Sequence, residues 1–302
     1  MIVKENFEIK NYTTYKIGGL VKTVYLPETQ AEFTELLREK NNALVLGNCS
    51  NILFSSNGYQ GEIILTTELK QFEIKGTHIF TSCGVKGPLL AQKAAEEGLS
   101  GFEFMIGFPG SIGGDIYMNA GAHGQNISDC IVQCCLFDKT TKEIVYKTKD
   151  ELEFGYRKSI LQNGRYILVH AEFELKKMPI EEIKALIDRN LEFRKSIQPS
   201  LSKPNAGSVF KNPENDSAGR LLDKAGVKSY DLPRARVWQN HANFIINKGD
   251  ATSEDILTLM VMMHNAVKNQ YTIELKPEII FIGDKTEKEE ELWNILYQKT
   301  QK

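Results

Sequence analysis

A chain of 302 residues exceeds one typical domain, so two or three are expected. Its 41% hydrophobic and 25% charged content is that of an ordinary folded protein, and 37 basic against 39 acidic side chains leave a net charge of −2. That balance excludes bulk attraction to nucleic acid or to an anionic membrane. No apolar run is long enough to span a bilayer, and the opening MIVKENFEIKNYTTYK lacks the apolar stretch of a signal peptide. Five cysteines (Cys49, Cys83, Cys130, Cys134, Cys135), odd in number and unevenly spaced, fit a reducing, cytoplasmic setting in which thiols serve as small hydrophobes. Adjacent residues of a strand point to opposite faces, so Cys134 and Cys135 do not make a metal site, and no metal is expected.

In chain order, residues 12–26 read as a strand, a Gly-Gly turn and a second strand. A helix over 28–39 places Phe33, Leu36 and Leu37 on one face. Strands follow near 43–46, 62–66 and 78–83. Pro88 stands where a helix would begin and Gly98 where it would end. Strands return at 131–137, 143–147 and 166–175, the last with clear alternation. A charged amphipathic helix covers 180–194, and the Pro- and Ser-rich KSIQPSLSKPNAGS then marks a boundary. Beyond it we expect a helix near 216–225, a strand at 243–247, a helix over 253–270 with a Thr252–Asp255 capping signal, and strands at 272–275 and 278–282. The tail from 284 is charged and is expected to be peripheral. Strands and helices do not alternate regularly, which argues for an α+β fold rather than a doubly wound sheet.

The most informative stretch is GFPGSIGGDIYMNAGAHG, residues 107–124, with six glycines in eighteen residues. Ordering glycine is costly, so such density implies positive φ or close approach to something flat or anionic. Successive backbone N–H groups in such a loop form an anion-binding concavity. Pro109, Ile112, Ile116 and Met118 are spaced to anchor it in a core. A second loop, GNCSNIL (47–53), follows a short buried strand and offers Asn48, Cys49, Ser50 and Asn51 as small donors. It has neither the Lys-Ser/Thr of a P-loop nor the G-x-G-x-x-G of a dinucleotide fold. Two such loops in one chain point to a diphosphate-containing cofactor.

Three further residues suit chemistry. Arg157, in FGYRKS, carries a planar fork that grips a carboxylate or phosphate. Ser208, in NAGSVFKNP, sits among small residues and has no nucleophile elbow, which leaves a proton-donating serine as one reading and a turn serine as the other. Glu278 follows Pro277 at the mouth of an apolar strand, where partial desolvation would raise its pKa. Lys211 and Asn212 add donors, and His241 and Asn243 of HANFIIN are structural or substrate-contact residues.

These segments together resemble the UDP-N-acetylenolpyruvoylglucosamine reductases (the MurB family), in their shorter type. The matching stretches are TTYKIGG (13–19), GNCSNIL (47–53), the glycine-rich loop (107–124), FGYRKS (154–159), AGSVFKNP (206–213), AGRLLDKAGVKS (218–229), HANFIIN (241–247) and KPEIIFIG (276–283). They occur in family order over nearly the whole chain. The resemblance implies a two-part FAD-binding region of the vanillyl-alcohol-oxidase/PCMH type, 1–75 and 76–195, and an α+β substrate-binding domain, 196–302. It implies FAD contacts from Gly47, Asn48, Cys49, Ser50, Asn51, Ile52, Gly107, Pro109, Gly110, Ser111, Gly113, Gly114, Asn119, Ala120 and Gly121. Substrate contacts would come from Tyr156, Lys211, Asn212, His241 and Asn243, and catalysis from Arg157, Ser208 and Glu278.

The implied chemistry has two halves. NADPH reduces the flavin, and the hydride then passes to the methylene carbon of UDP-N-acetylglucosamine enolpyruvate. Arg157 steadies the resulting enolate, Ser208 protonates its carbon, and Glu278 has a raised pKa or a bond to Arg157. A monomer working in peptidoglycan precursor synthesis is expected. The chain departs from the family pattern at 231–240 (DLPRARVWQN), at His123, and at Asp115, an acid where a small residue is usual. On the residues alone, another FAD oxidase or dehydrogenase of this fold, or a non-catalytic nucleotide-sugar binder, would share some of these features.

Overall fold

The computed structural model describes residues 1–200 and 202–297. β1 (Ile2–Glu8) and a 3-10 turn lead to β2 (Leu20–Leu26), α1 (Gln30–Glu39), β3 (Leu44–Leu46), β4 (Ile52–Phe54), β5 (Tyr59–Leu65), β6 (Phe72–Lys75) and β7 (His78–Ser82). Next come α2 (Gly87–Glu96), β8 (Leu99–Ser100), α3 (Ile112–Tyr117), β9 (Gly121–Ala122), β10 (Gln125–Asn126), β11 (Ile131–Asp138), β12 (Glu143–Thr148), β13 (Tyr166–Glu174), β14 (Lys176–Lys177) and α4 (Ile180–Ile197). The chain continues through α5 (Ala218–Lys224), β15 (Ala235–Val237), β16 (Ile245–Asn247), α6 (Ser253–Tyr271), β17 (Ile280–Ile282) and α7 (Glu287–Tyr297). The fold is α+β. Among the described residues no helix is long and apolar enough to cross a membrane.

The chain divides into two compact units. The first takes residues 1–5, 23–48 and 61–194, and the second takes 6–22, 49–60 and the described residues from 195 onward. The strands order as β1-β2-β5-β3 in a four-stranded sheet, and β3 pairs with β5 in parallel, Leu44 opposite Ile63. The first unit also holds a five-stranded antiparallel sheet, β12-β11-β13-β7-β6. Leu168, Ala171 and Phe173 of β13 are buried, and Phe173 meets Phe102 edge-on with centroids 5.1 Å apart. Helix α2 starts with Pro88 in its first turn and is followed by Gly98 at φ +65°, the polarity expected of its two ends.

The second unit pairs β15 with β16 and β17 with β4, the latter in parallel with Ile280 opposite Ile52. Its core gathers Tyr15, Ile17, Leu53, Phe210, Leu221, Leu222, Met260, Met263 and Ile279. The capping box expected at Thr252 and Asp255 opens α6.

Several expectations need correction. Residues 12–19 are not a strand. The Thr13 hydroxyl donates to the Ile17 carbonyl (2.9 Å) and accepts from the Ile17 N–H (3.2 Å), which closes 13–17 into a loop. Residues 272–275 are not a strand either: Thr272, at φ +58°, caps α6, and the Leu275 carbonyl faces the Nδ1 of His264 at 3.0 Å rather than a neighbouring strand. β1, β4 and β6 gave no sequence signal, because they are short or, like β1, almost wholly exposed. The tail is not peripheral. Leu292 and Leu296 of α7 are buried in the second core, and Trp293 packs against Phe281 at 5.5 Å; residues 298–302 of that predicted tail lie outside the described residues.

Glu289 explains why α7 is held. It is 2% exposed, accepts from the Ser55 hydroxyl (2.8 Å), from the Ser253 hydroxyl and from the Thr286 N–H (2.9 Å), and its own N–H donates back to Thr286. One carboxylate thus ties α7 to the turn after β4 and to the start of α6. Glu289→Ala removes the acceptor that the Ser55 and Ser253 hydroxyls and the Thr286 N–H share and is expected to cost about 3 kcal/mol of stability, measurable by chemical denaturation; a cost below about 1 kcal/mol would show that the cluster contributes little.

Candidate active site

In the first unit the two glycine-bearing loops interlock. β3 delivers Gly47 and Asn48, and the Asn48 side-chain amide donates to the Pro109 carbonyl at 3.1 Å. A Cβ on Gly47 would lie 2.2 Å from the Ser111 hydroxyl, so no side chain fits there. Gly113 is similarly close to the Cys83 carbonyl, 3.1 Å from an added Cβ. The stretch 107–124 is not all loop: Ile112–Tyr117 form α3, with Ile112 and Ile116 fully buried, while Pro109 and Met118 are half-buried. Backbone bonds from Ile112 N–H to Val85 O and from Gly113 N–H to Cys83 O seat it on the residues after β7. Gly114 stands exposed on α3. Within this loop the hydroxyl of Ser111 is buried without a hydrogen-bond partner among the described residues.

Asp115 is 6% exposed, and burial pushes its carboxyl up to about 7. The unfolded value is near 3.9. The folded chain therefore keeps a proton that the unfolded chain loses, so the stability this group allows is full below about pH 4 and is lost as pH rises to about 7. Without flavin, Asp115→Asn should raise the Tm at pH 8 more than at pH 5; an equal change at both would show that Asp115 is ionised throughout.

Arg157 lies in a tight turn closed by paired backbone bonds between Gly155 and Lys158, 3.1 Å each. It takes φ +52°, a left-handed conformation that costs a non-glycine residue energy and persists only where its surroundings impose it. Asn119, itself at φ +42°, donates to the Gly155 carbonyl (3.0 Å) and accepts from the Ser128 N–H. Gln162 donates to the carbonyls of Arg157 (3.0 Å) and Tyr117 (2.8 Å), and Ser159 donates to Tyr117 (2.9 Å). The guanidinium reaches the Gly121 carbonyl at 3.4 Å and stacks over the exposed Tyr156 ring at 5.1 Å. Ala120 joins the frame through its N–H to Asp115 O and its carbonyl to Ile127 N–H. Ser159 closes the FGYRKS stretch, whereas Gln162 carried no sequence signal beyond its nearness to it.

In the second unit the chain lays its candidates on one ladder. Ser208 bridges Phe244, Val209 N–H donates to Asn243 O (2.9 Å), and Glu278 N–H donates to Val209 O (2.8 Å). Asn243 is 3% exposed, and both ends of its side-chain amide engage Phe210: Nδ2 donates to the carbonyl (2.8 Å), and Oδ1 accepts from the N–H (3.0 Å). Lys211 N–H donates to Lys276 O, next to Pro277 and Glu278. Asn51 donates to the Glu278 carbonyl (3.0 Å), and its own carbonyl accepts from Ile280 N–H, at the start of the β4–β17 pair that Ile52 opens. The structure thus brings Ser208, Lys211, Asn243, Asn51 and Glu278 together by main-chain connections. Cys49, at φ +49° and 3% exposed, precedes the half-buried Ser50, and burial pushes its thiol up to about 12, away from reactivity.

Asn212 accepts from the Ala218 N–H (3.0 Å) at the start of α5. His241 accepts from the Asn243 N–H on Nδ1 (3.3 Å), which puts the proton of its neutral ring on Nε2. Burial first, and then Lys228, lower its pKa, so the neutral form is favoured. Gly219 is fitted to this ring, since a Cβ there would stand 2.9 Å from its Cε1.

Two family models match the chain. One, described as FAD binding domain, covers residues 21–144, and one, described as UDP-N-acetylenolpyruvoylglucosamine reductase, C-terminal domain, covers 198–282. The glycine-rich loop thus lies in a flavin-binding domain, and the class is that of an FAD-dependent oxidoreductase. The chain is 41% identical over 283 residues to the UDP-N-acetylenolpyruvoylglucosamine reductase of Caldicellulosiruptor bescii, covering 91% of this chain and 89% of that one. It is 39% identical to the Bacillus licheniformis enzyme, over 94% and 95% of the two chains. The crystal structure of the reductase from Thermus caldophilus superposes with a TM-score of 0.80 at 34% identity, covering 93% of this chain and 99% of that one. The chain belongs to the UDP-N-acetylenolpyruvoylglucosamine reductase family. The residues present fit FAD: a loop whose Gly47 and Gly110 leave no room for a Cβ, and a buried Ser111 hydroxyl without a partner among the described residues, suit an all-acceptor diphosphate.

The Gly47–Ser111 contact gives a direct check. Gly47→Ala should weaken FAD affinity at least tenfold and cost about 1–3 kcal/mol of stability through overpacking. Ser111→Ala in the same chain removes the oxygen that clashes, so the double variant should recover much of the stability in denaturation, whereas additive losses would show that the loops do not meet as described.

Proposed function

We propose that this chain reduces UDP-N-acetylglucosamine enolpyruvate to UDP-N-acetylmuramate with NADPH as donor, as a cytoplasmic step of peptidoglycan precursor synthesis, and that it acts as a monomer. The observation that carries this reading is the ladder of the second unit, which holds Ser208 and Glu278 one hydrogen-bonded strand apart in a chain of this family. We take residues 1–75 and 76–195 as the two parts of the FAD-binding region and 196–302 as the substrate domain.

Bound FAD would supply the transfer of a hydride from NADPH to the enolpyruvyl double bond. The residues named above around the two loops, from Gly47 to Ile52 and from Gly107 to Gly121, would hold it. Arg157 would meet negative charge as it gathers on the enolate oxygen, and its strained turn keeps the fork aimed without reorganisation. The Oγ of Ser208 gives its proton to the adjacent carbon, which is basic enough at that moment to take one from an alcohol. Hydride and proton together convert the enolpyruvyl ether into a lactyl ether. Glu278 orients the donor side of the ladder, Tyr156, Lys211, Asn212 and His241 line the substrate side, and the buried Asn243 holds the ladder behind them.

Anaerobic stopped-flow tests this. NADPH should bleach the flavin absorbance, and UDP-N-acetylglucosamine enolpyruvate should restore it. Reduced protein that ignores this substrate but reacts with oxygen would instead mark an oxidase of the same fold. Ser208→Ala should leave bleaching intact and slow the return at least about 10²-fold; equal slowing of both phases would remove Ser208 as the proton donor.

A further inference from the structure

Asp115 is an acid of the glycine-rich loop whose chemistry the reading above does not use. Its carboxyl lies against two glycines: Oδ1 is 2.4 Å from where a Cβ on Gly110 would stand, and Oδ2 is 3.1 Å from the same point on Gly87. Oδ2 is buried and has no hydrogen-bond partner among the described residues. The Ser111 hydroxyl, four positions earlier, is in the same condition. Two buried polar side chains without partners therefore sit within one short stretch that folds back on itself, since Asp115 N–H donates to Ser111 O and Ala120 N–H to Asp115 O. Buried polar groups are nearly always satisfied, so this pair points to a ligand that completes them.

The charged groups around Asp115 do not neutralise it. The elements packed about it carry Cys83 after β7, the exposed Lys86 before α2, the buried Glu103 in the turn before the loop, Asp129 in the turn after it, and Arg194 against Gly107. None of them bonds its carboxyl among the described residues. On β13, His170 and Glu172 alternate with the buried Ala171 and Phe173 and so face the other side of the sheet. Burial alone displaces the acid, to about 7.

A diphosphate has oxygen acceptors and no donors. The Ser111 hydroxyl can donate to it as it stands. A carboxylate has no proton to donate and would add like charge in a site shielded from water, whereas a carboxylic acid has an O–H. We propose that Asp115 enters the FAD complex as a neutral carboxylic acid, so that binding of FAD is coupled to uptake of one proton from solvent. The inference rests on the reading of this loop as the flavin's anion cradle. It makes Asp115 a cofactor-binding residue whose protonation sets how tightly the flavin is held. Cofactor affinity then weakens as the medium becomes alkaline.

The test is calorimetric titration of the flavin-free full-length chain with FAD, in pairs of buffers that differ in ionisation enthalpy. At pH 8.5 the wild-type chain should take up close to one proton per FAD, and at pH 5.5 close to none. Asp115→Asn, and Asp115→Ala in case the first variant folds poorly, should bind FAD with no such uptake at either pH. Between pH 7.5 and 8.5 the wild-type Kd should rise by about tenfold, one proton per pH unit, while the variants' Kd stays level. Wild-type binding without proton uptake at pH 8.5, or the same uptake in both variants, overturns the proposal and leaves the loop's role intact. Failure of every chain to bind FAD would overturn the reading of the loop itself.

Discussion

The candidate residues of the second unit depend on one buried side chain. The strand carrying Ser208 has Asn243 beside it, and the Asn243 amide pairs with both backbone groups of Phe210 as a neighbouring strand residue would. A primary amide offers a donor and an acceptor at the spacing of a peptide group, which is why this position suits Asn. An aspartate would lose the donor, and an alanine would leave a buried N–H and a buried C=O unpaired, at about 1–3 kcal/mol each. Ser208, Val209 and Lys211 lie within two residues of that clamp, and Glu278 is tied to it through Val209. The amide therefore fixes the backbone that carries these candidate residues.

The first unit reaches the same end by contact rather than by hydrogen bonding. Glycines at 47 and 110 let backbone approach side chain more closely than a Cβ permits. The closeness leaves the Ser111 hydroxyl buried with no hydrogen-bond partner among the described residues. At Arg157 the backbone is held in an unfavourable region by Asn119, Gln162 and Ser159, so the energy of fixing this turn is spent in folding. Rigid glycine packing and a strained turn are two ways of obtaining preorganisation from small residues.

Much of this was legible in the sequence, for reasons that differ by element. α1, α2, α6 and the long strands β11 and β13 carry apolar periodicity, proline starts, glycine stops or a capping box, and they lie where those signals put them. β1 escaped because its side chains are nearly all exposed, and 12–19 misled because β-prone residues there are closed by the Thr13 hydroxyl instead of a neighbouring strand. The charge of the last helix suggested a solvent-facing tail, yet every few residues it carries Leu292, Trp293 or Leu296 for the core, and its buried Glu289 finds partners far away in sequence. At the candidate site, motif order singled out Ser208, Arg157 and Glu278 as candidates, but no motif reveals that Asn51 carries the Glu278 carbonyl or that Gln162 fastens the Arg157 turn. Such supports join residues distant in sequence and appear only when the chain is folded.

The way the second unit is assembled has a consequence for how the molecule is made. Its strand β4 and its buried Tyr15, Ile17 and Leu53 come from the first sixty residues, while β17 and α7 come from the last thirty or so. A ribosome releases the early pieces long before their partners exist, so this core cannot close until synthesis is nearly finished. Loop closure over such a span is slow relative to local pairing. During that interval β4 has an open edge and Leu53 has no core to enter, a state in which unpaired strands tend to find the wrong partner. The parallel pair β4–β17 is thus a checkpoint on chain completion: only a chain translated through Ile282 can form it, and a prematurely terminated one exposes apolar surface to the cell's quality control.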